Sequence, residues 1–279
     1  MKVALRSCFI IAFATFLEMG NAQTVSSALI MYTDDARAGA GSTTAIQNEI
    51  IASVNQGNLA LANSGTGMTI QIADMREISV DETKYGTLSA LNNDLSNPAS
   101  ATFKIVHDIR NQVSADLVFL VVEGIEANGL AFQVCGSGLT CDNTFEKYAF
   151  ASGQRSLVVS FPLMIPHEFG HVMGLRHDRT RDCGSEATTC ATGAFPYSYG
   201  HIDPIAPVEW GTVMAGGRPF GLVNYFSTPN RTHPTTGQPL GIANVSDASR
   251  SLTNVGWIVA DWRVPLINQT IITPLLLEN

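Results

Sequence analysis

The sequence has no cluster of basic residues. Lys and Arg total 16 against 24 Asp and Glu, so the 279-residue chain carries a formal net charge of −8, and only 14% of its residues are charged. Nucleic-acid binding needs a positively charged surface, which an acidic chain without a basic run does not supply. Nucleic acid is therefore excluded as a partner, and the length allows one large domain or two small ones.

Long hydrophobic runs are also missing, except near the N-terminus. Lys2 and Arg6 precede the apolar run Cys8–Leu17, and Gly20–Ala22 supplies the small residues of a cleavage site. This pattern is typical of a signal peptide, here residues 1–22, because the run is too short to span a bilayer comfortably as an uncleaved anchor. We therefore expect a secreted, extracellular protein, with the periplasm as the alternative, that has no membrane span once this segment is removed.

Cysteine is scarce, and one of the five lies in the expected signal peptide. The other four are Cys135, Cys141, Cys183 and Cys190. An even number in an exported chain indicates two disulfides, for which three pairings are possible. The short-range pairing, Cys135–Cys141 with Cys183–Cys190, is favoured because each bond closes a small polar loop.

The sequence has neither an internal repeat nor an interdomain linker. We expect one domain over residues 23–264, with an upper part at 23–177 and a lower part at 178–264, followed by a tail at 265–279. Alternating apolar strands and amphipathic helices in the upper part predict an α/β sheet with helices packed on it. The lower part is rich in Gly, Pro and Thr, so it is expected to be irregular up to a final helix.

The local patterns place the individual elements. The expected strands are Ala28–Tyr32, Met68–Ala73, Ala115–Val122, Gly129–Val134 and Leu157–Phe161. The expected helices run from Ser42 or Thr43 to about Asn63, over the apolar positions from Phe103 to Val113, and from Asp247 to Arg263 with Ser246 as its cap. Thr33–Gly41 is expected to be a loop, and Asp81–Ser100 a loop with at most one short helix.

Three of the six histidines lie within one short stretch, His167–His177, which reads His-Glu-x-x-His-x-x-Gly-x-x-His. In a helix, His167 and His171 lie one turn apart on the same face. Gly174 can end that helix and turn the chain back, which brings His177 towards the other two imidazoles. Three such nitrogens leave one position open in a tetrahedral site, as in a catalytic zinc centre.

The glutamate beside the first histidine has a separate expected role. Glu168 points away from the metal position and can hold a water molecule. Zinc lowers the pKa of that water to about 7, and Glu168 then accepts its proton and passes it to the leaving amine. These residues predict hydrolysis of peptide bonds with one catalytic zinc ion as cofactor.

The stretch His167–His177 resembles the elongated zinc signature of the metzincins, whose second mark is a methionine in a tight turn below the metal. Gly211–Ala215 looks like that turn, so the resemblance implies that Met214 is a hydrophobic floor and not a ligand. Asp178 is similar to the structural aspartate of the reprolysin-like (adamalysin-type) branch. The C-terminal part of bacterial reprolysin-like and peptidyl-Asp metallopeptidases is similar to Tyr225–Pro229, Gly237–Gly241 and the helix at Asp247. The strand Ala28–Tyr32 and the helix Ser42–Asn63 fit the same pattern, so the resemblance covers nearly all of the chain after residue 22.

This resemblance implies a metzincin-like fold: a twisted mixed sheet, two packed helices, the zinc helix, and a smaller irregular C-terminal subdomain that ends in a helix. It also implies that an edge strand pairs with an extended peptide substrate. The substrate-binding residues expected on that strand are Gly129, Leu130, Ala131 and Phe132. Tyr225 and the region from Met214 to Leu222 are expected to form part of a specificity pocket, in which Arg218 is a candidate for pairing with acidic substrates.

Two features depart from the family pattern. No tyrosine stands two residues after Met214, which argues against the fifth ligand of some metzincins. Pro166 directly precedes the first histidine, so the zinc helix is expected to begin at Pro166 or to be distorted at its start.

The sequence therefore predicts a secreted, monomeric zinc endopeptidase that acts on peptides or proteins. A secreted binding or adhesion protein that keeps the fold without turnover is the alternative. That class usually lacks the glutamate or one of the histidines, and this chain has all four.

Overall fold

The computed structural model describes residues 23–126, 128–135, 142–185, 187–188, 190, 193–203, 209–216 and 221–263. Its centre is a five-stranded sheet with the order β2-β1-β3-β5-β4. The strands are β1 (Thr24–Thr33), β2 (Met68–Ile78), β3 (Leu117–Val122), β4 (Gly129–Ala131) and β5 (Phe150–Gln154). β4 is antiparallel to β5, and the other neighbouring pairs are parallel. The chain is therefore a mixed α/β protein with an antiparallel edge strand.

Both faces of the central strands are buried. In β1, Ala28 and Ile30 belong to the core on one face, and Leu29 and Met31 belong to the core on the other. β3 is buried along its whole length. A continuous apolar run is what a strand covered on both faces requires, which explains why these two strands were recognisable from sequence.

Eight α-helices complete the described architecture. They are α1 (Asp34–Ala40), α2 (Thr43–Asn63), α3 (Leu88–Leu95), α4 (Lys104–Val113), α5 (Arg155–Ser160), α6 (Met164–Val172), α7 (Arg179–Cys183) and α8 (Ala248–Val259). Residues of α2, α6 and α8 join the core on one face of the sheet, and residues of α3 and α4 join the core on the other. The Ser42 hydroxyl accepts a hydrogen bond from the Ala45 amide, which confirms the predicted start of α2.

The predicted strand Leu157–Phe161 is wrong. This segment lies largely in α5, with Val158 buried and Val159 exposed. The strand between β3 and β4 is Phe150–Gln154, whose small residues fit where space is short: a β carbon on Gly153 would lie 3.0 Å from the Phe119 ring. Val158 and Val159 have a high intrinsic strand propensity. The strand beside β3 is nevertheless formed by Phe150–Gln154, a segment of lower strand propensity.

Three other boundaries also differ from expectation. Thr33–Gly41 is not a loop, because Thr33 caps α1 and Gly41 ends it with φ of 89°. β4 stops at Ala131 instead of reaching Val134. The cap of α8 is Asp247 and not Ser246, whose hydroxyl contacts the Ile242 amide and His201.

Apart from α7 and α8, the described elements of the lower part are short strands. β6 (Arg176–Asp178) pairs with β7 (Tyr199–Gly200); β8 (Ile202–Asp203), β9 (Trp210–Gly211) and β10 (Gly221–Leu222) form a second small sheet, and β11 (Thr228–Thr232) pairs with β12 (Pro239–Leu240). A disulfide joins Cys183 to Cys190, as predicted. Cys141 lies outside the described residues, so the Cys135–Cys141 bond stays a prediction.

Within the described residues, none of the helices combines the length and the apolar character that a bilayer span requires. The predicted signal peptide at residues 1–22 and the tail at 265–279 lie outside the described residues.

Candidate metal centre and active-site cleft

Helix α6 carries the first two histidines and starts two residues before Pro166. Pro166 occupies the third helical position, where no backbone amide donor is needed, and the first amide that bonds along the helix is that of His167, to the Leu163 carbonyl at 2.9 Å. The expected start at Pro166 is therefore wrong, while a distortion at the start of the helix stays a prediction. The proline ring also packs on Gly57 of α2, where a β carbon would lie 2.6 Å from the Pro166 β carbon.

A turn at Gly174 ends the helix and redirects the chain, as predicted. Gly174 has φ of 80° and lies just past the last helical turn. The Gly174 amide donates to the His171 carbonyl, and the Leu175 amide donates to the Gly170 carbonyl, both at 2.9 Å. These two bonds form a Schellman motif, which needs a residue with positive φ at this position. The turn leads directly into β6 and His177.

The three imidazoles converge on one point. One ring nitrogen from each of His167, His171 and His177 lies within 4.8 Å of the other two. The Nε2 atoms of His171 and His177 are 3.2 Å apart. Two ligands of a tetrahedral zinc ion, each bonded at about 2.0–2.1 Å, are about 3.3 Å apart, so this donor set fits such an ion.

Each imidazole is oriented by a hydrogen bond at its other nitrogen. The Nδ1 atoms of His167 and His171 contact the carbonyl oxygens of Val213 and Leu175, at 2.8 and 2.9 Å. His177 Nδ1 lies 3.1 Å from Asp182 Oδ1. Acceptors at Nδ1 keep a proton on that nitrogen and leave Nε2 free to bind a metal, as in many zinc sites.

The electrostatic environment favours neutral imidazoles in α6. Burial lowers the pKa of His167 to about 3, and burial and the other two imidazoles lower the pKa of His171 well below its usual value. Burial opposes ionisation of Asp182, but its hydrogen bond with His177 and the charge of Arg176 lower its pKa overall. Metal ligands must be unprotonated imidazoles, so this environment suits metal binding.

Glu168 lies in the same cleft beside the histidines. It is buried, and burial raises the pKa of its carboxyl to about 8, while the charge of Arg181 acts in the opposite direction. Gly129 of β4 lies directly against it, because a β carbon at that position would be 2.3 Å from Glu168 Oε1. Gly129, the first residue of β4, and Glu168 therefore lie side by side in the wall of the cleft.

Met214 lies beneath the histidine cluster and is fully buried. A β carbon on Gly170, between the first two histidines, would lie 2.6 Å from Met214 Sδ.

Asp178, directly after His177 in the chain, makes structural contacts. Its carboxylate accepts hydrogen bonds from the amides of Arg181 and Gly216, at 2.9 and 3.1 Å. Asp178 thus ties α7 to the chain that follows Met214.

The histidines and Glu168 line an open cleft of about 720 Å³. Of the residues predicted to bind substrate, the cleft is lined by Gly129, Leu130 and Ala131. Phe132 and Tyr225 are not among the lining residues; the Phe132 ring instead packs against Tyr148. Arg218 lies outside the described residues.

Gln133, from the predicted substrate-binding strand Gly129–Val134, also lines the cleft. Sequence reasoning missed other lining residues, including Phe161, Met164, Arg176, Arg181 and Asp182. Asp182 and Arg181 follow the third histidine by only a few positions, so their charges were a usable signal. Phe161 and Met164 were hidden because their segment was predicted as a strand or read only as the approach to the zinc motif.

Comparison with known families finds one match over most of the chain. The model of Metallo-peptidase family M12 (Reprolysin_5) matches residues 21–227, a range that contains the whole histidine cluster, Glu168 and Met214.

Several bacterial relatives share sequence similarity with the chain. A peptidyl-Asp metalloendopeptidase of Stenotrophomonas maltophilia (strain R551-3) is 28% identical over 225 residues, which cover 78% of this chain and 48% of the relative. A protein of the same name from Pseudomonas aeruginosa is 24% identical over 241 residues, which cover 81% of this chain and 38% of that protein. The chain thus spans about half the length of the curated relatives it matches, or less.

A solved structure titled "Structure of a chaperone-substrate complex" contains a chain that is similar in fold. The TM-score is 0.65 at 17% sequence identity, with 87% of this chain and 36% of the other chain covered. At this identity the match supports the fold alone.

Proposed function

The chain belongs to metallopeptidase family M12, and on that premise we propose that it is a zinc-dependent endopeptidase. The observation that carries the proposal is the convergence of His167, His171 and His177 beside the buried carboxylate of Glu168. Three imidazoles with oriented Nδ1 atoms are a donor set for a catalytic zinc ion, since they leave a fourth position for water or substrate.

The chemistry at this site divides between the ion and the protein. When bound, a zinc ion supplies Lewis-acid polarisation of a water molecule and of the scissile carbonyl. Glu168 is the general base: its carboxylate accepts a proton from the attacking water and returns it to the leaving amine nitrogen. Burial raises the pKa of this carboxyl, which favours its holding the proton between the two transfers.

The edge strand β4 is the proposed substrate-binding element. It is the last strand of the sheet and lines the cleft with Gly129, Leu130 and Ala131. An extended peptide can add to such an edge as a further antiparallel strand, with main-chain hydrogen bonds that do not depend on side-chain identity. This arrangement suits an endopeptidase that binds the interior of a polypeptide.

We propose a preference for acidic residues beside the scissile bond. The support is the name of the relatives, peptidyl-Asp metalloendopeptidase. That name describes proteins about twice as long as the region they share with this chain.

We also propose that the chain is exported as a monomer and that residues 23–264 form one catalytic domain. The Cys183–Cys190 disulfide supports export, because such bonds persist in oxidising compartments.

The test is to express the full chain with its own N-terminal segment, measure the zinc content of the purified protein, and assay cleavage of unfolded protein substrates with and without a chelator. The proposal predicts one zinc ion per chain and cleavage that is lost on chelation and restored by zinc. A protein that binds zinc stoichiometrically and cleaves nothing would instead be the silent binding protein.

A further inference from the structure

Among the residues that the structure describes, two arginines line the cleft, and they differ in their charge partners. Arg176 is engaged: its Nε lies 3.0 Å from Asp182 Oδ2, and its Nη1 donates to Gln133 Oε1 at 2.6 Å. Among the described residues, no carboxylate lies within ion-pair distance of the Arg181 guanidinium. Within that part of the chain, Arg181 is therefore the cleft-lining cation that is available to pair with an anionic ligand.

The position of Arg181 is fixed from two sides. Its amide donates to Asp178 Oδ1, and the other oxygen of that carboxylate accepts from the Gly216 amide. The side chain lies across Gly216, where a β carbon would be 2.2 Å from the Arg181 Cδ and 2.7 Å from its Nη1. The missing side chain at position 216 thus makes room for the arginine beside the chain that follows Met214.

Arg181 lies close enough to the reacting groups to act on a substrate there. It lines the same cleft as His167 and Glu168. A substrate carboxylate paired with Arg181 would therefore belong to a residue near the bond that Glu168 serves.

We propose that Arg181 is the specificity-determining residue, and that it selects Asp or Glu next to the scissile bond by pairing with the side-chain carboxylate. The planar guanidinium offers parallel N–H donors that match the two oxygens of a carboxylate. The protein's net charge of −8 would otherwise disfavour acidic peptides, so a local cation is needed to reverse that tendency. This inference rests on the proposed peptidase function.

The experiment compares matched peptides with Asp against Asn, and Glu against Gln, on either side of the cleaved bond. The full chain is assayed beside Arg181→Gln, Arg181→Glu and two controls. Arg231→Gln removes an exposed charge that lies away from the cleft and donates to the Asn63 carbonyl. Arg218→Gln tests the competing candidate that sequence alone suggests.

Wild type is expected to cleave the acidic peptide with a kcat/KM about 10-fold above that of its amide partner, as expected for a charged hydrogen-bonded pair. Arg181→Gln should remove the preference for the acidic peptides, while Arg181→Glu should favour Lys at the same position. Arg231→Gln should keep the wild-type ratio. The ratio in wild type should also decrease as salt is added.

The inference is overturned if wild type shows no acidic preference, if Arg181→Gln keeps the wild-type ratio, or if Arg218→Gln alone abolishes it. An equal loss on acidic and amide peptides in Arg181→Gln would overturn it too, because Arg181 would then act on the catalytic groups and not on the substrate side chain. A wild type that cleaves no peptide at all would instead overturn the proposed function, and the inference with it.

Discussion

Gly129 of β4 and Glu168 of α6 approach so closely that a β carbon on the glycine would lie 2.3 Å from Glu168 Oε1. The residue that begins the edge strand therefore also limits where the glutamate carboxylate can lie. The proposed substrate-binding strand and the proposed general base are mechanically linked, so a change in one displaces the other.

Gly129→Ala should lower kcat/KM by about 100-fold, because displacement of a reacting group by about 1 Å has an effect of that order. Zinc content should change little, because the atoms nearest to that β carbon belong to Glu168 and Met164 and not to the histidines. Steady-state kinetics with zinc analysis would check this. Gly86→Ala is the matched control, since a β carbon there has no neighbour within 4 Å; equal activity losses in the two variants would contradict the account.

Gly57→Ala should destabilise the protein by about 1–3 kcal/mol, because the added methyl overpacks against the Pro166 ring. Elsewhere in a helix the same substitution is stabilising by roughly 0.5–1 kcal/mol, so the sign of the effect is diagnostic. Denaturant unfolding of the zinc-loaded protein measures it, with exposed Asn55→Ala on the same helix as control. A stabilised Gly57→Ala would show that α2 does not hold Pro166 in this way.

Asp182→Ala should weaken zinc binding by about 10–100-fold, because His177 then loses the acceptor that orients its ring. Asp182→Asn keeps an oxygen acceptor without the charge, so its zinc affinity should decrease less. Competition with a zinc-binding dye gives both dissociation constants. Unchanged affinity in the alanine variant would remove the proposed role of Asp182.

His107 should make stability depend on pH away from the metal centre. Burial lowers its pKa in the folded protein, and its Nε2 lies 2.9 Å from the Leu95 carbonyl. The unfolded chain therefore binds more protons, and the free energy of unfolding should decrease as pH falls below about 6.5. Between pH 7.5 and pH 5.5, the free energy of unfolding of His107→Gln should decrease less than that of wild type, as measured by denaturant titration. Parallel curves for the two proteins would exclude this contribution.

The parts of the site that sequence predicted depend on local spacing. Two histidines four residues apart share a helix face whatever surrounds them, and Gly174 adopts the positive φ that ends α6. The start of α2 at Ser42 and the apolar runs of β1 and β3 were predictable for the same reason.

The parts that sequence did not predict depend on contacts between distant segments. Val158 and Val159 favour a strand, yet Phe150–Gln154 pairs with β3, where the absence of a side chain at Gly153 suits the close approach of the Phe119 ring. The approach of Gly129 to Glu168, and of Arg181 to Gly216, joins residues about 40 positions apart. Spacing along the chain carries no information about such contacts.

The most direct test of the account is the turnover of Glu168→Ala beside wild type, with zinc content and unfolding measured on the same preparations. We expect the variant to retain its zinc and its fold and to lose cleavage of peptide substrates, because the three histidines hold the metal while Glu168 transfers the proton. Undiminished cleavage by a zinc-loaded, folded Glu168→Ala would contradict the mechanism.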